Sequence, residues 1–285
     1  MARTLLCSFF WLACACQLPA QNCTQANIAG SYAIASQFMT PGPDGASLTV
    51  PAVSLAVVSV ADNGAISGTG YRSMSGQVSP VETLGVIKVS EDCTAEVDWG
   101  QGVIAASVIF DESKGLVSVV TNTGQIGPQV VYATWKRITG TPAASNSSQC
   151  GSDAPIGTYR YRSSGFLTIP SQGTPQPELT PAAMLGLSSI KEDGTASVIA
   201  TGSLGGEVVP LETTSAERFV IKPDCTAAIA WDLSSKGDRK GSLQHFAVVF
   251  DGGKEIWGIQ LQNPLGPPTV LDTWTRMSTT PMSEN

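Results

Sequence analysis

The residues of this chain that could carry acid–base chemistry are few, and two of them stand at matching positions. Glu82 lies in Val-Glu-Thr and Glu212 lies in Leu-Glu-Thr, each two residues after a proline. If such a carboxyl faces a barrel interior, desolvation raises its pKa and makes it a proton-shuttle candidate. The alternative is a solvated glutamate after a proline-marked strand start, and the pattern favours this alternative.

Tryptophans recur in the same manner and could stack on a planar ligand. Trp99 and Trp231 each follow an Asp-Cys-Thr sequence, and Trp135 and Trp274 each precede a basic residue by one or two positions. Recurrence at strand positions favours core packing over ligand binding. Glu82, Glu212, Trp99 and Trp231 are therefore the candidate binding residues, and the sequence indicates no catalytic residue.

The chain has a single histidine, His245, which makes a histidine-based triad or a zinc enzyme improbable. The corresponding segment of the first half, which contains Ala105, has no histidine, so we expect His245 to be a surface residue or a satisfied interior one. The turn acids Asp62, Glu192 and Asp251 lack EF-hand spacing. We expect no metal and no cofactor.

Composition and charge exclude several classes of protein. Of 285 residues, 42% are hydrophobic and 14% charged, which is typical of a folded chain, not of a disordered acidic one. The net charge of −7 argues against nucleic acid as a partner.

The N-terminus has the pattern of a secretory signal peptide at residues 1–20. Arg3 precedes an apolar run at residues 5–16, and Ala20 stands at the expected cleavage site. The run is too short for a bilayer span, which needs about 20 apolar residues, and no longer run follows. We expect a secreted or extracytoplasmic protein without a membrane span; a lipid anchor through Cys14 or Cys16 is the weaker alternative.

The rest of the chain is an internal duplication. Six motifs recur in the same order, at offsets that rise from 127 to 139. Examples are Gly30-Ser31-Tyr32 with Gly157-Thr158-Tyr159, Asp92-Cys93-Thr94 with Asp224-Cys225-Thr226, and Thr134-Trp135 with Thr273-Trp274. A period above 100 residues indicates a duplicated domain and not a solenoid. We predict copies at residues 21–138 and 150–277, a linker at 139–149 and a tail at 278–285.

Each copy is predicted to be all-β. Alternation of period two is common, as in Phe246, Val248 and Phe250, and Asp-Gly or Asn-Gly turns such as Asn63-Gly64 separate such runs. About eight short strands per copy fit an antiparallel sandwich or a closed barrel.

Four cysteines remain after the predicted signal peptide, and four cysteines allow three pairings. Cys23 and Cys150 each lie nine residues before the tyrosine of the first motif, and Cys93 and Cys225 share the Asp-Cys-Thr context. The duplication therefore predicts the disulfides Cys23–Cys93 and Cys150–Cys225. Free thiols conflict with the signal peptide, and a Cys₄ metal site lacks the usual C-x₂-C spacing.

The motifs resemble those of bacterial secreted proteins with allene oxide cyclase-like barrels, relatives of the calycins and dirigent proteins. The residues that carry this resemblance are Gly157-Thr158-Tyr159, Asp193-Gly194, Asp224-Cys225-Thr226, Phe250-Asp251-Gly252-Gly253 and Arg276. The first copy departs at Ser31 and at Asp111-Glu112-Ser113. The resemblance implies two tandem antiparallel β-barrels; no catalytic residue of the plant cyclases maps onto this sequence.

The sequence favours a non-enzymatic, secreted, small-molecule-binding or extracellular structural module. Alternatives are a cofactor-free isomerase of the allene oxide cyclase type, which would work by confining its substrate, and an adhesion or glycan-binding module. The expected partner is an apolar small molecule or an extracellular partner. A hollow barrel of roughly 300 Å³ or more, with an inward-facing Glu82 or Glu212, would favour ligand chemistry. An interior filled by Trp99, Phe219 and Phe246 would favour a structural role.

Overall fold

A computed structural model describes residues 23–41, 48–111, 114–124, 130–138, 150, 155–169, 178–215, 217–235 and 238–277. The predicted signal peptide, the linker at 139–149 and the tail at 278–285 lie outside these residues. The described part consists of 18 strands and one 3₁₀ turn at Gln25–Ile28. The all-β prediction is confirmed.

The first barrel is a closed meander of eight antiparallel strands in which the last strand pairs with the first. The strands are β1 (Gly30–Pro41), β2 (Leu48–Val60), β3 (Ala65–Met74), β4 (Gln77–Val89), β5 (Thr94–Asp98), β6 (Val103–Phe110), β7 (Gly115–Thr123) and β8 (Val130–Arg137).

The second barrel repeats this meander and closes where β18 pairs with β9. Its strands are β9 (Gly157–Ile169), β10 (Glu178–Ile190), β11 (Thr195–Leu204), β12 (Glu207–Ser215), β13 (Glu217–Arg218), β14 (Val220–Ile221), β15 (Thr226–Ser235), β16 (Asp238–Phe250), β17 (Glu255–Gln262) and β18 (Pro268–Arg276). The three pieces β12, β13 and β14 take the place of the continuous β4, because β11 and β15 pair with them as β3 and β5 pair with β4.

Strand register makes the two copies comparable residue by residue. Tyr32 pairs with Val58 and Arg137, while Tyr159 pairs with Ser188 and Arg276. The offset between equivalent residues is therefore 127 in the first strand, 130 in the second and 139 in the last. The same comparison gives an offset of 140 between β6 and β16 and between β7 and β17.

A disulfide fastens one end of each barrel. Cys23 is bonded to Cys93 and Cys150 to Cys225, the same two pairings that the duplication predicts. In the first barrel the bond holds the 3₁₀ turn, whose Ile28 is buried, against the core. The half-cystine Cys93 has a left-handed φ of 63°, which is uncommon for a residue with a side chain. The turn that imposes this φ is held by Asp92, which accepts hydrogen bonds from Thr94.

The barrels pack against each other through a shared apolar cluster on their outer faces. Ala33, Val53 and Leu55 of the first barrel meet Val248 and Ile259 of the second. Polar contacts flank this cluster: the Thr168 hydroxyl donates to the Ser75 carbonyl at 3.0 Å, and the Gly76 amide donates to Thr269 Oγ1 at 2.8 Å. Lys136 forms an ion pair with Glu255 and lies 3.4 Å from Asp251.

The described part of the chain contains no helix with the length and hydrophobicity of a bilayer span.

Candidate functional site

The first barrel holds an open cup of about 510 Å³ inside its ring of strands. Each of β1, β2, β3, β4, β6, β7 and β8 contributes at least one wall residue, and Trp99, which follows β5 directly, completes the circle. The volume lies within the range of about 300–1,000 Å³ that is typical of small-molecule sites.

The period of two along each strand places the cup directly above the barrel core. On β1, Tyr32 and Ile34 are buried in the core, and Phe38 and Thr40, on the same face, line the cup. Trp99 forms part of the wall, and its ring centroid lies 5.5 Å from that of the fully buried Trp135. The cup therefore has a rigid, aromatic lower wall.

One cation lines the cup. Arg72 on β3 is the only charged residue among the described wall residues, and its guanidinium makes no hydrogen bond or ion pair with any of the described residues. Ser36 pairs with Ser54, and Ser54 pairs with Arg72, so two hydroxyls and the guanidinium form a row across three adjacent strands. Neighbouring side chains in such a row lie about 5 Å apart, so one anionic group can contact several of them.

The second barrel is filled where the first is hollow. Asp272 accepts hydrogen bonds from Tyr161 Oη at 2.9 Å and from Gln260 Nε2 at 3.2 Å. His245 Nε2 lies 2.9 Å from Asp272 Oδ2, and both side chains are fully buried. The His245 ring packs against both Trp231 and Trp274, at centroid distances of 5.0 and 5.4 Å.

Each polar member of this network replaces an apolar residue of the first copy. The equivalent pairs, first barrel then second, are Ile34 and Tyr161, Ala105 and His245, Val120 and Gln260, and Ala133 and Asp272. Arg72 is equivalent to Gly202. At the place equivalent to the cup, the second barrel has a cavity of about 30 Å³ beside Ser163, Gln260 and Leu211, which has room for about one water molecule.

Burial keeps the phenol of Tyr161, the tyrosine of this network, protonated. Removal from water, reinforced by the neighbouring Asp272 carboxyl, raises the pKa of Tyr161 well above its ordinary value. Tyr161 therefore stays a hydrogen-bond donor to Asp272 at neutral pH. The network is a filled, polar barrel core rather than an open site.

The sequence-predicted residues fall in different places. Glu82 and Glu212 both lie on exposed outer faces, and Glu82 borders a cleft of about 660 Å³ between the barrels. Trp99 lines the cup, whereas Trp231 is 1% exposed and fills the second barrel. Phe246 faces the other barrel, where its ring lies 5.1 Å from that of Tyr71.

Sequence reasoning missed Arg72, whose signal is its replacement by glycine in the second copy. It also left the role of His245 open between the surface and the interior; the structure places His245 in the interior. The described residues contain no group of three or more potential metal ligands.

No protein-family model matches this chain, and no curated protein is similar to it at a significant level. Three solved structures align over most of the chain. A protein of unknown function of the DUF3598 family from Nostoc punctiforme is 15% identical, with 90% of this chain and 99% of that chain covered and a TM-score of 0.22.

A protein from Nitrosomonas europaea provisionally assigned as AttH is 7% identical, with 91% and 96% covered and a TM-score of 0.27. A protein from Bacteroides fragilis provisionally assigned as an outer membrane protein is 12% identical, with 90% and 100% covered and a TM-score of 0.26. At these TM-scores the likeness carries no argument about function, and the resemblance to the allene oxide cyclase barrel is not confirmed.

Proposed function

We propose that this chain is an extracytoplasmic binding protein whose first barrel takes up an apolar small molecule with one anionic group. The observation that carries the proposal is the cup of about 510 Å³ with Arg72, which has no partner among the described residues, on its wall. The second copy has lost both features, since Gly202 replaces the arginine and the polar network fills the lumen. The second barrel then serves as the rigid partner of the first.

The chemistry of the wall supports an amphiphile. Valines, Phe38 and Trp99 offer apolar surface, so burial of a hydrocarbon or ring drives binding. A carboxylate or sulfonate at Arg72 gains a charge-assisted, bidentate hydrogen bond. The Ser54 hydroxyl beside the arginine can donate to the same anionic group.

Two disulfides support an oxidising compartment, since such bonds persist outside the cytosol. The signal peptide that the sequence predicts at residues 1–20 agrees with this location.

The isomerase alternative from the allene oxide cyclase resemblance uses the same cup, because confinement of a reactive substrate needs shape more than acid–base groups. A ligand released chemically unchanged after incubation would argue for binding, and a rearranged one would argue for catalysis.

The test is equilibrium binding of dodecanoate and of dodecanol, measured by displacement of the fluorescent probe 1-anilinonaphthalene-8-sulfonate. We expect dodecanoate to bind more tightly than dodecanol. Arg72→Gln should weaken dodecanoate by about tenfold or more, the equivalent of a lost charged hydrogen bond, and leave dodecanol unchanged. Arg162→Gln removes an exposed arginine outside the cup and is the matched control.

A second variant, Val120→Phe, keeps an apolar wall but reduces the volume of the cup. It should weaken both ligands. If dodecanoate and dodecanol bind the wild type with equal affinity, and Arg72→Gln changes neither affinity, the proposal of an anionic ligand is refuted. If Val120→Phe changes the affinity of neither dodecanoate nor dodecanol, the cup is refuted as the binding site.

A further inference from the structure

The contact between the two barrels joins two different surfaces, and each surface has an equivalent on the other copy. We call the outer surface of β1–β3, and its equivalent on β9–β11, the A face. We call the outer surface of β16–β18, and its equivalent on β6–β8, the B face. Within the chain, the A face of the first barrel packs on the B face of the second.

The A face of the second barrel is exposed. Leu55 on the first copy is 0% exposed, and its equivalent Leu185 is 66% exposed. Leu187 and Ile199, direct partners across β10 and β11, are 50% and 73% exposed. The position that is buried by the neighbouring barrel in one copy thus remains apolar and open in the other.

The B face of the first barrel is exposed in the same way. Its large apolar residues and their buried or half-buried equivalents in the contact are Val108 and Val248, Phe110 and Phe250, Val119 and Ile259, and Tyr132 and Leu271. Val108 is 57% exposed and Val248 is 0% exposed. A surface that had only to face water would not keep four apolar side chains at the four positions that make the internal contact.

One acidic position of the internal contact is also kept on the open B face. In the internal contact Lys136 lies 3.4 Å from Asp251 and 4.9 Å from the centre of the Phe250 ring. On the first barrel the equivalents of the acid and the ring are Asp111 and Phe110. On the second barrel Lys136 is replaced by Thr275, and the exposed Arg160 pairs with it across the strands. The internal contact takes its positive charge from β8, the neighbour of β1, whereas the open A face carries its own positive charge on β9.

We propose that the chain associates with a second copy of itself, head to tail, with the A face of one second barrel on the B face of the next first barrel. The contact repeats the internal one, with Leu185, Leu187 and Ile199 against Val108, Phe110 and Val119, and with Arg160 facing Asp111. Because the two surfaces differ, each added copy leaves one A face and one B face open. Such a heterologous contact builds a chain of copies or a closed ring.

The test is sedimentation equilibrium of the purified chain over a range from micromolar to millimolar concentration. We expect the average mass to rise with concentration. Leu187→Glu on the A face and Val108→Glu on the B face should each hold the mass at that of one chain, because both substitutions put a charge into an apolar contact. Leu84→Glu changes a 65% exposed leucine outside both faces and should leave the association intact.

A mixture of the two variants distinguishes this contact from a symmetric dimer. Leu187→Glu retains its B face and Val108→Glu retains its A face, so together they should form a 1:1 dimer that neither forms alone. Wild type that keeps the mass of one chain at all concentrations would overturn the proposal. Association that survives either single variant, or variants that fail to pair in the mixture, would overturn it as well. Circular dichroism of each variant shows whether the barrels remain folded.

Charge exchange gives an independent readout. Arg160→Asp alone should weaken association, and combining it with Asp111→Arg in one chain should restore association through the exchanged charges. No recovery in the double variant would remove Arg160 and Asp111 from the contact.

Discussion

Removal of Asp272 from the second barrel should be among the most destabilising single substitutions in this chain. Its carboxyl is fully buried, accepts hydrogen bonds from Tyr161 and Gln260, and lies 2.9 Å from His245 Nε2. Asp272→Ala leaves the Tyr161 hydroxyl and the Gln260 amide buried without their acceptor and removes the carboxyl beside His245. Each buried donor left unsatisfied costs about 1–3 kcal/mol, so we expect a loss of about 3–5 kcal/mol in the free energy of unfolding.

His245→Ala should cost a similar amount, because it removes the neighbour of the Asp272 carboxyl and opens space beside Trp231 and Trp274. The double variant recreates the pair Ala105 and Ala133 of the first barrel. Since the two single variants each remove the same contact, the double variant should fall short of their sum by about 2 kcal/mol.

The assay is urea unfolding followed by tryptophan fluorescence, since two tryptophans border the network, with circular dichroism as the second probe. Glu212→Ala, at an exposed position of the same barrel, should change stability by less than about 0.5 kcal/mol. Additive effects of His245→Ala and Asp272→Ala, or a cost below about 1 kcal/mol for Asp272→Ala, would refute the reasoning that the two side chains form one unit.

Three other perturbations test the disulfide of the first barrel, the buried Tyr161 and the ion pair between the barrels. Replacing Cys23 and Cys93 by serine opens a loop of 70 residues and should cost about 4 kcal/mol in thermal or urea unfolding; an unchanged midpoint would contradict this. Because burial raises the pKa of Tyr161, the native barrel is favoured below about pH 10 and loses stability as the pH rises further. Tyr161→Phe should remove about one proton from the pH dependence of the free energy of unfolding above about pH 10. Unfolding measured between neutral and alkaline pH tests this, and an unchanged pH dependence would contradict it. Lys136→Met removes the partly exposed ion pair with Glu255 and should cost less than about 1 kcal/mol at low salt and still less at high salt.

The all-β class was predictable because alternation of period two and hairpin turns recur in both copies. The strand pattern leaves a sandwich and a barrel equally open, and only the family resemblance implied the barrel. The cysteine pairing followed from repeated positions alone, since Cys93 and Cys225 occupy the same turn. These features depend on the residues of the turns and on the order of the repeated motifs, and both can be read directly from the sequence.

The site was harder to predict because it depends on which face of each strand is inside. The outer face of β4 carries Leu84 and Val86, which are exposed, beside Glu82. Apolar residues on both faces obscure the alternation that would otherwise have shown Glu82 to point outward. The cup in the first barrel can be recognised only when Ala105 and Ala133 are compared, in strand register, with their equivalents His245 and Asp272.

Closure of the two barrels also determines how this protein can aggregate. In the described part, β1 pairs with both β2 and β8, and β9 pairs with both β10 and β18, so the strands that close the rings offer no free edge for a passing chain to extend. Contacts between native copies at these strands must therefore form through side chains. They should dissolve on dilution and yield to a single charge, and cross-β growth from these strands should require that a ring first be opened.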